Sequence, residues 1–258
     1  MDPIYTRENC RFSYPLQWSL TIFWRAGQID SFPLGTLKTS LELDGIRILN
    51  HRYIDQQTSQ FALSTKPHVS PEFIVQRVKG RLQYLVRDQQ PKPFQRNYAI
   101  RSFGSEERSV IESYVGSQLD HHHYGGAEFE DFIASLQFED STIDLSKPRK
   151  TSHGLFWYNL HVVMVNRERW NVGDKDLLLK IRSMVLRVAK VKGWLISRAA
   201  VLPDHIHLSI SCSFNVAPDE VAICYLNNLA SVYEMKRVFQ FGAYIGTFGE
   251  YDNRAVKS

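Results

Sequence analysis

Two histidines separated by one residue are the side chains of this sequence with the clearest potential for chemistry. His205 and His207 lie in the segment Leu-Pro-Asp-His-Ile-His-Leu, residues 202–208. Side chains two positions apart on a β-strand point to the same face, and Ile206 between them points to the core. Two imidazoles at that spacing can bind one divalent cation and leave positions for water or phosphate oxygens. The alternative is a surface or structural pair, but Asp204 favours a metal because its carboxylate can orient an imidazole.

The charge distribution indicates a polyanionic partner for the second half of the chain. The net charge is +4 and the sequence pI is about 8.9. Residues 151–258 carry 13 basic and 9 acidic side chains, whereas residues 1–150 carry 18 of each, so the whole positive excess lies in the second half. Three widely spaced cysteines fit neither a disulfide framework nor a zinc cluster. We therefore expect a reducing, cytoplasmic setting, with no signal peptide and no membrane span.

Hydrophobic periodicity predicts alternating strands and helices in the first half. The clearest signals are an alternating strand ending at Trp24 and a helix whose N-cap is Ser70 and whose first residue is Pro71. The predicted elements are a strand over residues 17–24, a helix over 37–50, strands over 52–57 and 60–65, a helix from 71, a strand over 97–104 and a helix from Ser105 to about 121.

The second half repeats that order of elements. The predicted elements are a strand over residues 156–165, a helix over 175–192 closed by Gly193, strands over 194–202 and 205–211, a helix over 218–237, a strand over 243–248 and a helix start over 252–258. The strongest local similarity joins residues 98–104 to residues 244–249, and a polar helix start follows each. The pattern βαββαβα therefore occurs twice.

An acidic segment separates the two repeats. It follows Tyr124, Gly125 and Gly126, and no Lys or Arg occurs between Arg108 and Lys147. This composition is typical of an exposed connector. We expect an N-terminal domain over residues 1–125, an acidic linker over 126–152 and a C-terminal domain over 153–258.

The second half resembles the Y1 transposases, the IS200/IS605-like branch of the HUH endonucleases. The resemblance rests on the histidine segment at residues 202–208, on Tyr-Asn-Leu-His-Val-Val-Met at 158–164 and on Tyr-Ile-Gly-Thr-Phe-Gly at 244–249. It implies an α+β fold with two ferredoxin-like domains, each with an antiparallel sheet and helices on one face, arranged as a pseudo-dimer.

The family's tyrosine nucleophile is missing from the place where the second half should carry it. No tyrosine follows Tyr251, which lies too early, at the entrance of the predicted helix. In the first half, residues 109–118 resemble the family's catalytic helix, with Tyr114 and Gln118 one turn apart on the same face. The first half has no His-x-His in the corresponding strand. The resemblance therefore implies a fused dimer with one composite site, in which His205, His207 and Gln118 hold the metal.

The implied reaction is metal-dependent cleavage and rejoining of single-stranded DNA. Mg²⁺ or Mn²⁺ polarises the scissile phosphate, and Tyr114 attacks it to give a 5′-phosphotyrosine and a free 3′-OH. A second 3′-OH can reverse the step. The expected partner is single-stranded DNA with a hairpin, and no small-molecule cofactor is expected. We expect the chain to be monomeric and to act at the prokaryotic nucleoid. The expected DNA contacts are Lys79, Arg81, Arg167 and Arg169, with Trp170 stacking on an unpaired base.

Other histidines and other functions complete the predictions. His121, His122 and His123 are predicted to mark a solvated helix end, and His161 to face the sheet surface or the DNA rather than a metal.

Two decayed copies without activity are an alternative to one composite site. One rival function is a hairpin-binding protein that no longer cuts DNA. The second is a phosphoesterase that uses the His205–His207 pair with water as the nucleophile.

Overall fold

The computed structural model describes residues 2–29, 31–118, 124–233 and 237–250. Within these ranges the chain forms strands that pair into two six-stranded sheets, together with α-helices that pack on them. The strands are β1 (Arg11–Ser13), β2 (Gln17–Trp24), β3 (Ile46–Asp55), β4 (Thr58–Thr65), β5 (Phe94–Phe103), β6 (Phe138–Glu139), β7 (Arg149–Lys150), β8 (Gly154–Trp157), β9 (Asn159–Val165), β10 (Leu195–Val201), β11 (His205–Ser211) and β12 (Gly242–Phe248). The helices are α1 (Leu34–Glu42), α2 (Pro71–Val86), α3 (Arg108–Gly116), α4 (Ala127–Leu136), α5 (Lys175–Lys192) and α6 (Pro218–Val232).

The two sheets share one plan. The first has the order β3-β4-β2-β5-β8-β7, and the second has the order β1-β12-β9-β11-β10-β6. In each, the four strands of one half pair in antiparallel fashion, and alternate residues such as Leu20 and Leu208 are fully buried. The α+β fold of two ferredoxin-like domains is thus confirmed.

The sheets are mixed, because each half contributes a strand to the other half's sheet. Strand β1 pairs in parallel with β12, and β8 pairs in parallel with β5. The prediction of wholly antiparallel sheets is therefore wrong at these two pairings. Strand β1 precedes β2 and β8 precedes β9, so the two exchanges involve corresponding pieces of the two halves. These exchanges cross the predicted domain boundaries, which remain a prediction.

Most of the predicted elements are confirmed by the local chemistry. The Ser70 Oγ accepts a hydrogen bond of 3.2 Å from the Phe73 backbone N–H at the start of α2. Helix α5 begins after Asp174, whose carboxylate caps two backbone N–H groups, and ends at Gly193 with φ +65°. Strands β2 and β11 have the predicted bounds. None of the described helices is long and apolar enough to cross a membrane.

Two predicted elements have different structures. The helix predicted over residues 37–50 ends at Glu42, because Gly45, with φ +77°, turns the chain and Ile46 begins a strand paired with β4. The predicted strand over residues 156–165 is divided at Tyr158 between β8 and β9, which belong to different sheets. The acidic segment contains α4, β6 and β7, and Ile133, Leu136 and Leu145 in it are buried, so it is not merely an exposed connector.

One helix departs from the predicted arrangement on a single face. Helix α3 contacts β10 and β11 of the second sheet, on the side to which His207 points. Helices α5 and α6 pack against the opposite face, to which Ile206 and Leu208 belong. The face of the second sheet that carries the histidines is thus covered by a helix from the first half.

The residues that join the two halves are reciprocal. The Ser102 hydroxyl donates to the Phe248 carbonyl at 2.7 Å, and the Thr247 hydroxyl donates to the Phe103 carbonyl, also at 2.7 Å. A Cβ on Gly104 would collide with the Thr247 carbonyl oxygen, and one on Gly249 would collide with the Ser102 carbonyl oxygen. Glycine is needed at both positions because the two backbones approach too closely for any side chain.

Candidate active site

The described parts of the site lie on strands β9 and β11 and on helix α3. His205 and His207 are each only 4% exposed, and on the neighbouring strand His161 is 7% exposed. The His205 and His207 ring centroids are 4.9 Å apart, as expected for alternate residues on one strand face. Buried imidazoles need polar partners, and each of the three has one.

Tyr114 of the first half packs against the histidines of the second half. Its ring centroid lies 5.7 Å from that of His207 and 5.9 Å from that of His161. The Tyr114 side chain is 46% exposed, so its ring packs against the imidazoles while part of the side chain is open to solvent. Gly116, two residues later, allows α3 to lie close to the sheet, because a Cβ there would be 2.5 Å from an Arg198 guanidinium nitrogen. The structure therefore brings together the predicted tyrosine and histidines from opposite halves.

A carboxylate orients the first histidine as the sequence predicts. The Asp204 Oδ1 lies 2.6 Å from the His205 Nδ1, and the Asp204 Oδ2 accepts from the Arg169 guanidinium at 2.9 Å. Burial acts to raise the pKa of Asp204, but these hydrogen bonds outweigh it and hold that pKa well below its usual range. An ionised Asp204 accepts a hydrogen bond from the Nδ1–H of His205, so Nε2 of His205 carries the lone pair that can bind a metal.

Asn166 holds the loop that carries Arg169. This residue is 1% exposed, and its amide nitrogen donates to the carbonyl oxygens of Trp170 and Pro203 at 2.9 and 3.0 Å. Glu168 and Arg169 both have φ +55°, in the left-handed region that non-glycine residues rarely adopt. The Asn166 amide is thus placed to stabilise a strained turn that sets Arg169 against Asp204. Sequence reasoning missed Asn166 because its role depends on the contact with Pro203, which lies on another loop.

His161 contacts His207, and sequence reasoning missed this contact as well. Its Nε2 lies 3.1 Å from the Nδ1 of His207, and burial lowers the pKa of His161 to about 4. The Nε2 of a neutral His161 can accept a hydrogen bond from the Nδ1–H of His207, and His207 then carries its lone pair on its own Nε2. The prediction that His161 faces the sheet surface or DNA did not foresee this contact. The signal in the sequence was the strand alternation, which puts His161 on the same face as His207 once the register is known.

The remaining predicted ligand, Gln118, has a defined conformation. It is 3% exposed, and its amide nitrogen donates to the Tyr114 carbonyl at 2.7 Å. This bond uses the donor end of the amide and leaves the carbonyl oxygen as the end that suits a hard cation. Among the described residues, no group of three His, Cys, Asp or Glu side chains is arranged to hold a metal. The predicted donor set of two imidazoles and the Gln118 amide oxygen therefore stays a prediction.

Two aromatic hydroxyls border the site. The Tyr124 hydroxyl donates to Asp204 Oδ1 at 3.3 Å, and burial, together with this carboxylate, raises the pKa of Tyr124. The Tyr244 ring lies 5.6 Å from the His161 ring, and burial raises its pKa too. These phenols stay protonated at neutral pH and can serve as hydrogen-bond donors.

The predicted DNA contacts are spread over the molecule. Lys79 donates to the carbonyl oxygens of Gln95 and Arg96 at 2.8 and 3.2 Å, and Arg81 pairs with Asp44 at 2.6 Å. Both belong to α2, on the first sheet. The Arg167 guanidinium, 62% exposed, lies 3.3 Å from Glu168. Of the four predicted contacts, the structure joins only Arg169 to the histidine site.

The predicted His121–His123 segment lies outside the described residues, as does the helix start at residues 252–258.

The first half carries a different pair of side chains at the corresponding place. The backbone N–H groups of Asn159 and Gln17 donate to the hydroxyls of Ser102 and Thr247, so these two strand starts correspond. Counting along β2 and across to β4 then gives the counterparts. They are Ser19 for His161, Gln60 for His207 and Thr58 for His205.

That pair keeps the hydrogen bond without the imidazoles. The Gln60 amide nitrogen donates to the Ser19 hydroxyl at 3.0 Å, in the place of the contact between the two histidines. The Arg52 Nε also donates to the Gln60 amide oxygen at 3.0 Å. Both polar ends of Gln60 are therefore occupied by its neighbours, and no histidine stands here.

Comparison with known protein families gives one match, to part of the chain. Residues 155–241 match the family model described as "Transposase IS200 like". No curated protein matches the chain. Among solved structures, a REP-associated tyrosine transposase bound to a REP hairpin is similar at 12% identity, with a TM-score of 0.30; the match covers 39% of this chain and 60% of that one. A putative glycine cleavage system transcriptional repressor is similar at 9% identity, with a TM-score of 0.22, over 91% of this chain and 98% of that one.

The matched residues include the histidine strand β11, its neighbour β9 and the Asn166 loop. The resemblance to the Y1 transposases in the sequence is thus confirmed over residues 155–241, which match the IS200-like transposase model.

Proposed function

We propose that this protein cleaves and rejoins single-stranded DNA through a 5′-phosphotyrosine at one composite active site. The observation that carries the proposal is the contact of Tyr114 with His207, whose ring centroids are 5.7 Å apart although the residues belong to different halves. Effective covalent catalysis needs a nucleophile held beside the groups that stabilise the reacting phosphate.

The proposed reaction conserves the energy of the phosphodiester bond. The Tyr114 phenolic oxygen attacks the scissile phosphorus, and its proton passes to solvent, to which the side chain is partly open. The bond to the 3′ oxygen breaks, and that oxygen leaves as a 3′-OH after taking up a proton. In the joining step, a second 3′-OH attacks the same phosphorus and releases Tyr114. The protein's task is to hold the tyrosine and the phosphate in line.

The donor groups suit a divalent ion in this role. His205 and His207 would hold Mg²⁺ or Mn²⁺ through their Nε2 atoms, with the Gln118 amide oxygen as a third ligand. Such an ion, when bound, supplies positive charge that polarises a phosphate oxygen. The chain's own contribution is orientation, because Asp204 and His161 each hold the Nδ1 of one ligand imidazole.

We also propose that the chain is a tandem fusion of two Y1-like domains arranged as a pseudo-dimer. Support comes from the reciprocal bonds of Ser102 and Thr247, and from the exchange of β1 and β8 between the sheets. The register of the exchange is the same in both: Ser13 pairs with Tyr244, and Leu155 pairs with Ala99, at corresponding positions. The proposed domains are residues 1–125 and 153–258, joined by 126–152.

The proposed substrate is single-stranded DNA next to a hairpin, bound by a cytoplasmic, monomeric protein. A related tyrosine transposase has been solved with a REP hairpin. The net charge of +4 favours a polyanion.

The test is formation of a covalent adduct. The protein is incubated with a labelled hairpin oligonucleotide and Mn²⁺, denatured and separated by size. We expect a DNA adduct for the wild type and none for Tyr114→Phe, which keeps the ring but lacks the nucleophile. Tyr84→Phe is the matched control, because Tyr84 is an exposed helical tyrosine of the same half.

Each other outcome selects a different function. Adduct formation by Tyr114→Phe would contradict the composite site. Binding without cleavage would support the hairpin-binding protein. Cleavage by the wild type without any adduct would support the phosphoesterase with a water nucleophile.

A further inference from the structure

An open cleft on the first half has the composition of an anion site. It has a volume of about 770 Å³ and lies where the end of β2, the start of β5 and the turn before β8 meet. The residues that line it all have polar side chains and include two arginines and one histidine, without a carboxylate: Arg25, Gln95, Arg96, Asn97, Ser152 and His153. A cluster of cations without a counter-charge is unfavourable by itself, and an anionic ligand would relieve this repulsion.

One arginine of the cleft is held by a backbone contact. The Arg25 Nε donates to the Phe94 carbonyl at 2.8 Å, and the remaining guanidinium nitrogens are further donors. From α2, the Lys79 ammonium donates to the carbonyl oxygens of Gln95 and Arg96, two residues that line the cleft. That contact adds a third positive charge beside the cleft. Within the described part of the chain, the Arg96 side chain has no ion-pair partner.

The turn that carries His153 is anchored to β5. The Tyr98 hydroxyl and the Thr151 hydroxyl are 2.8 Å apart, and the Thr151 backbone N–H donates to the Gly154 carbonyl at 2.9 Å. Tyr98 lies so close over Gly154 that a Cβ at residue 154 would collide with its ring. The His153 side is therefore preorganised, which lowers the entropy that a ligand must offset on binding.

We propose that this cleft, formed by Arg25, Arg96 and His153, binds the phosphate backbone of the DNA at a point remote from the bond that is cut. Guanidinium groups recognise phosphate through paired N–H donors. The cleft is formed mainly by the half that lacks the histidines, so that half contributes DNA affinity in addition to Tyr114. This inference rests on the proposed DNA function and adds a second contact region to it.

The position of the cleft excludes a direct role in the chemistry. Strand β5 runs from the cleft at Gln95 to the join between the halves at Phe103. Eight residues of strand span about 25 to 30 Å. DNA bound in both places must therefore extend over several nucleotides, and loss of the cleft should weaken binding without slowing cleavage of bound DNA.

The test compares two double variants of the full chain. Arg25→Gln/Arg96→Gln removes two charges from the cleft. Arg47→Gln/Arg87→Gln removes the same charge from the same half at exposed arginines that already face carboxylates, with Arg47 lying 3.4 Å from Glu42 and Arg87 lying 3.7 Å from Asp88. The dissociation constants of labelled hairpin and oligothymidylate probes are measured by anisotropy between about 50 and 200 mM salt.

The expected result is a change in salt dependence that is confined to the cleft variant. Its slope of log K against log salt should become shallower by roughly 1 to 2, and binding at low salt should weaken about three- to tenfold. The adduct yield at saturating DNA should equal that of the wild type. A slope equal to the wild type, or an equal change in the control variant, would overturn the cleft proposal. If the cleft variant shows the expected slope change but the wild type never forms an adduct, the cleft stands and the strand-transfer function fails.

Discussion

The two halves keep the same hydrogen-bonded pair at the same place in the sheet and give it different chemistry. In the second half the pair is His161 with His207, and in the first half it is Ser19 with Gln60. Both pairs satisfy polar groups on the sheet face, so a hydrogen bond at this position does not require imidazoles. The comparison separates what the sheet needs for its stability from what the proposed chemistry needs.

The helix that covers the histidine face of the second sheet comes from the first half. Helix α3 of the first half places Tyr114 on the second sheet, while Thr58 and Gln60 in the first half take the places of His205 and His207. The proposed nucleophile and the histidines thus come from different halves, and the contact between Tyr114 and His207 supports a composite site.

The largest expected effect comes from removing the imidazole at one of the paired positions. His207→Ala should lower the rate of adduct formation by roughly a thousandfold, because it removes a metal ligand and the positive charge that depends on it. Gln60→Ala, the same truncation at the corresponding place, should leave the rate within about threefold. Single-turnover assays with the hairpin probe measure both. Equal losses in the two variants would mean that the pair is needed for the fold rather than for the chemistry.

The next effect isolates the orientation of the ligand. His161→Ala should weaken Mn²⁺ binding about 10- to 100-fold, since the Nδ1 of His207 then loses its acceptor. Ser19→Ala is the matched change in the first half and should leave Mn²⁺ affinity unaltered. Titration calorimetry without DNA gives the affinities. His161→Gln should restore part of the loss because its amide oxygen can accept the same hydrogen bond from the Nδ1–H of His207, and failure of this rescue together with normal folding would contradict the orienting role.

The join between the halves offers a reciprocal test of stability. Gly104→Ala and Gly249→Ala should each destabilise the protein by about 1 to 3 kcal/mol, because each Cβ meets a carbonyl oxygen of the other half. Gly80→Ala in α2 is the control: nothing lies within 4 Å of its Cβ, and the change should stabilise by up to about 1 kcal/mol. Urea unfolding measures all three. A large difference between the two interface variants would contradict the reciprocal join.

The smallest expected effect is on the pH dependence of stability, through Asp44 in the first half. The hydrogen bond from Arg81 lowers the pKa of Asp44, so the folded state binds the Asp44 proton less tightly than the unfolded chain does. This contribution is fully present above the pKa of the unfolded state, near 4, and is lost as the pH falls through the lower folded pKa. Asp44→Asn should cost up to about 1 kcal/mol at pH 7 and flatten the acid side of the stability curve. Asp88→Asn, whose carboxylate is 94% exposed, should change neither, and identical curves for both variants would count against the Arg81 bond.

The sequence was informative where one periodic signal decides an element. Helix α5 has both caps and a clear apolar stripe, and the strand of His205 and His207 has an abrupt start at Pro203 and Asp204. The approach of Tyr114 to the histidines could be predicted because the resemblance implied that one half completes the other. Those predictions depend on local pattern or on family likeness.

The remaining features depend on contacts between distant segments. Strands β1 and β8 have three and four residues, too few for a periodic signal, and their partners lie in the other half. The contact between His161 and His207 needs the register of two strands. The leucines near residue 46 fit a helix and a strand equally well until Gly45 and the pairing with β4 decide between them.

The exchanged strands also have a consequence for how the chain folds. Arg11 pairs with Gly242, a partner 231 residues further along the sequence, while β8 covers the edge of β5. Pairings this distant in sequence form slowly, because a long loop must close before any contact is gained. Until they form, the edges of β5 and β12 present unpaired backbone groups to other chains. We therefore expect either half, expressed alone, to aggregate, and the full chain to reach its native state through a slow step in which both halves close together.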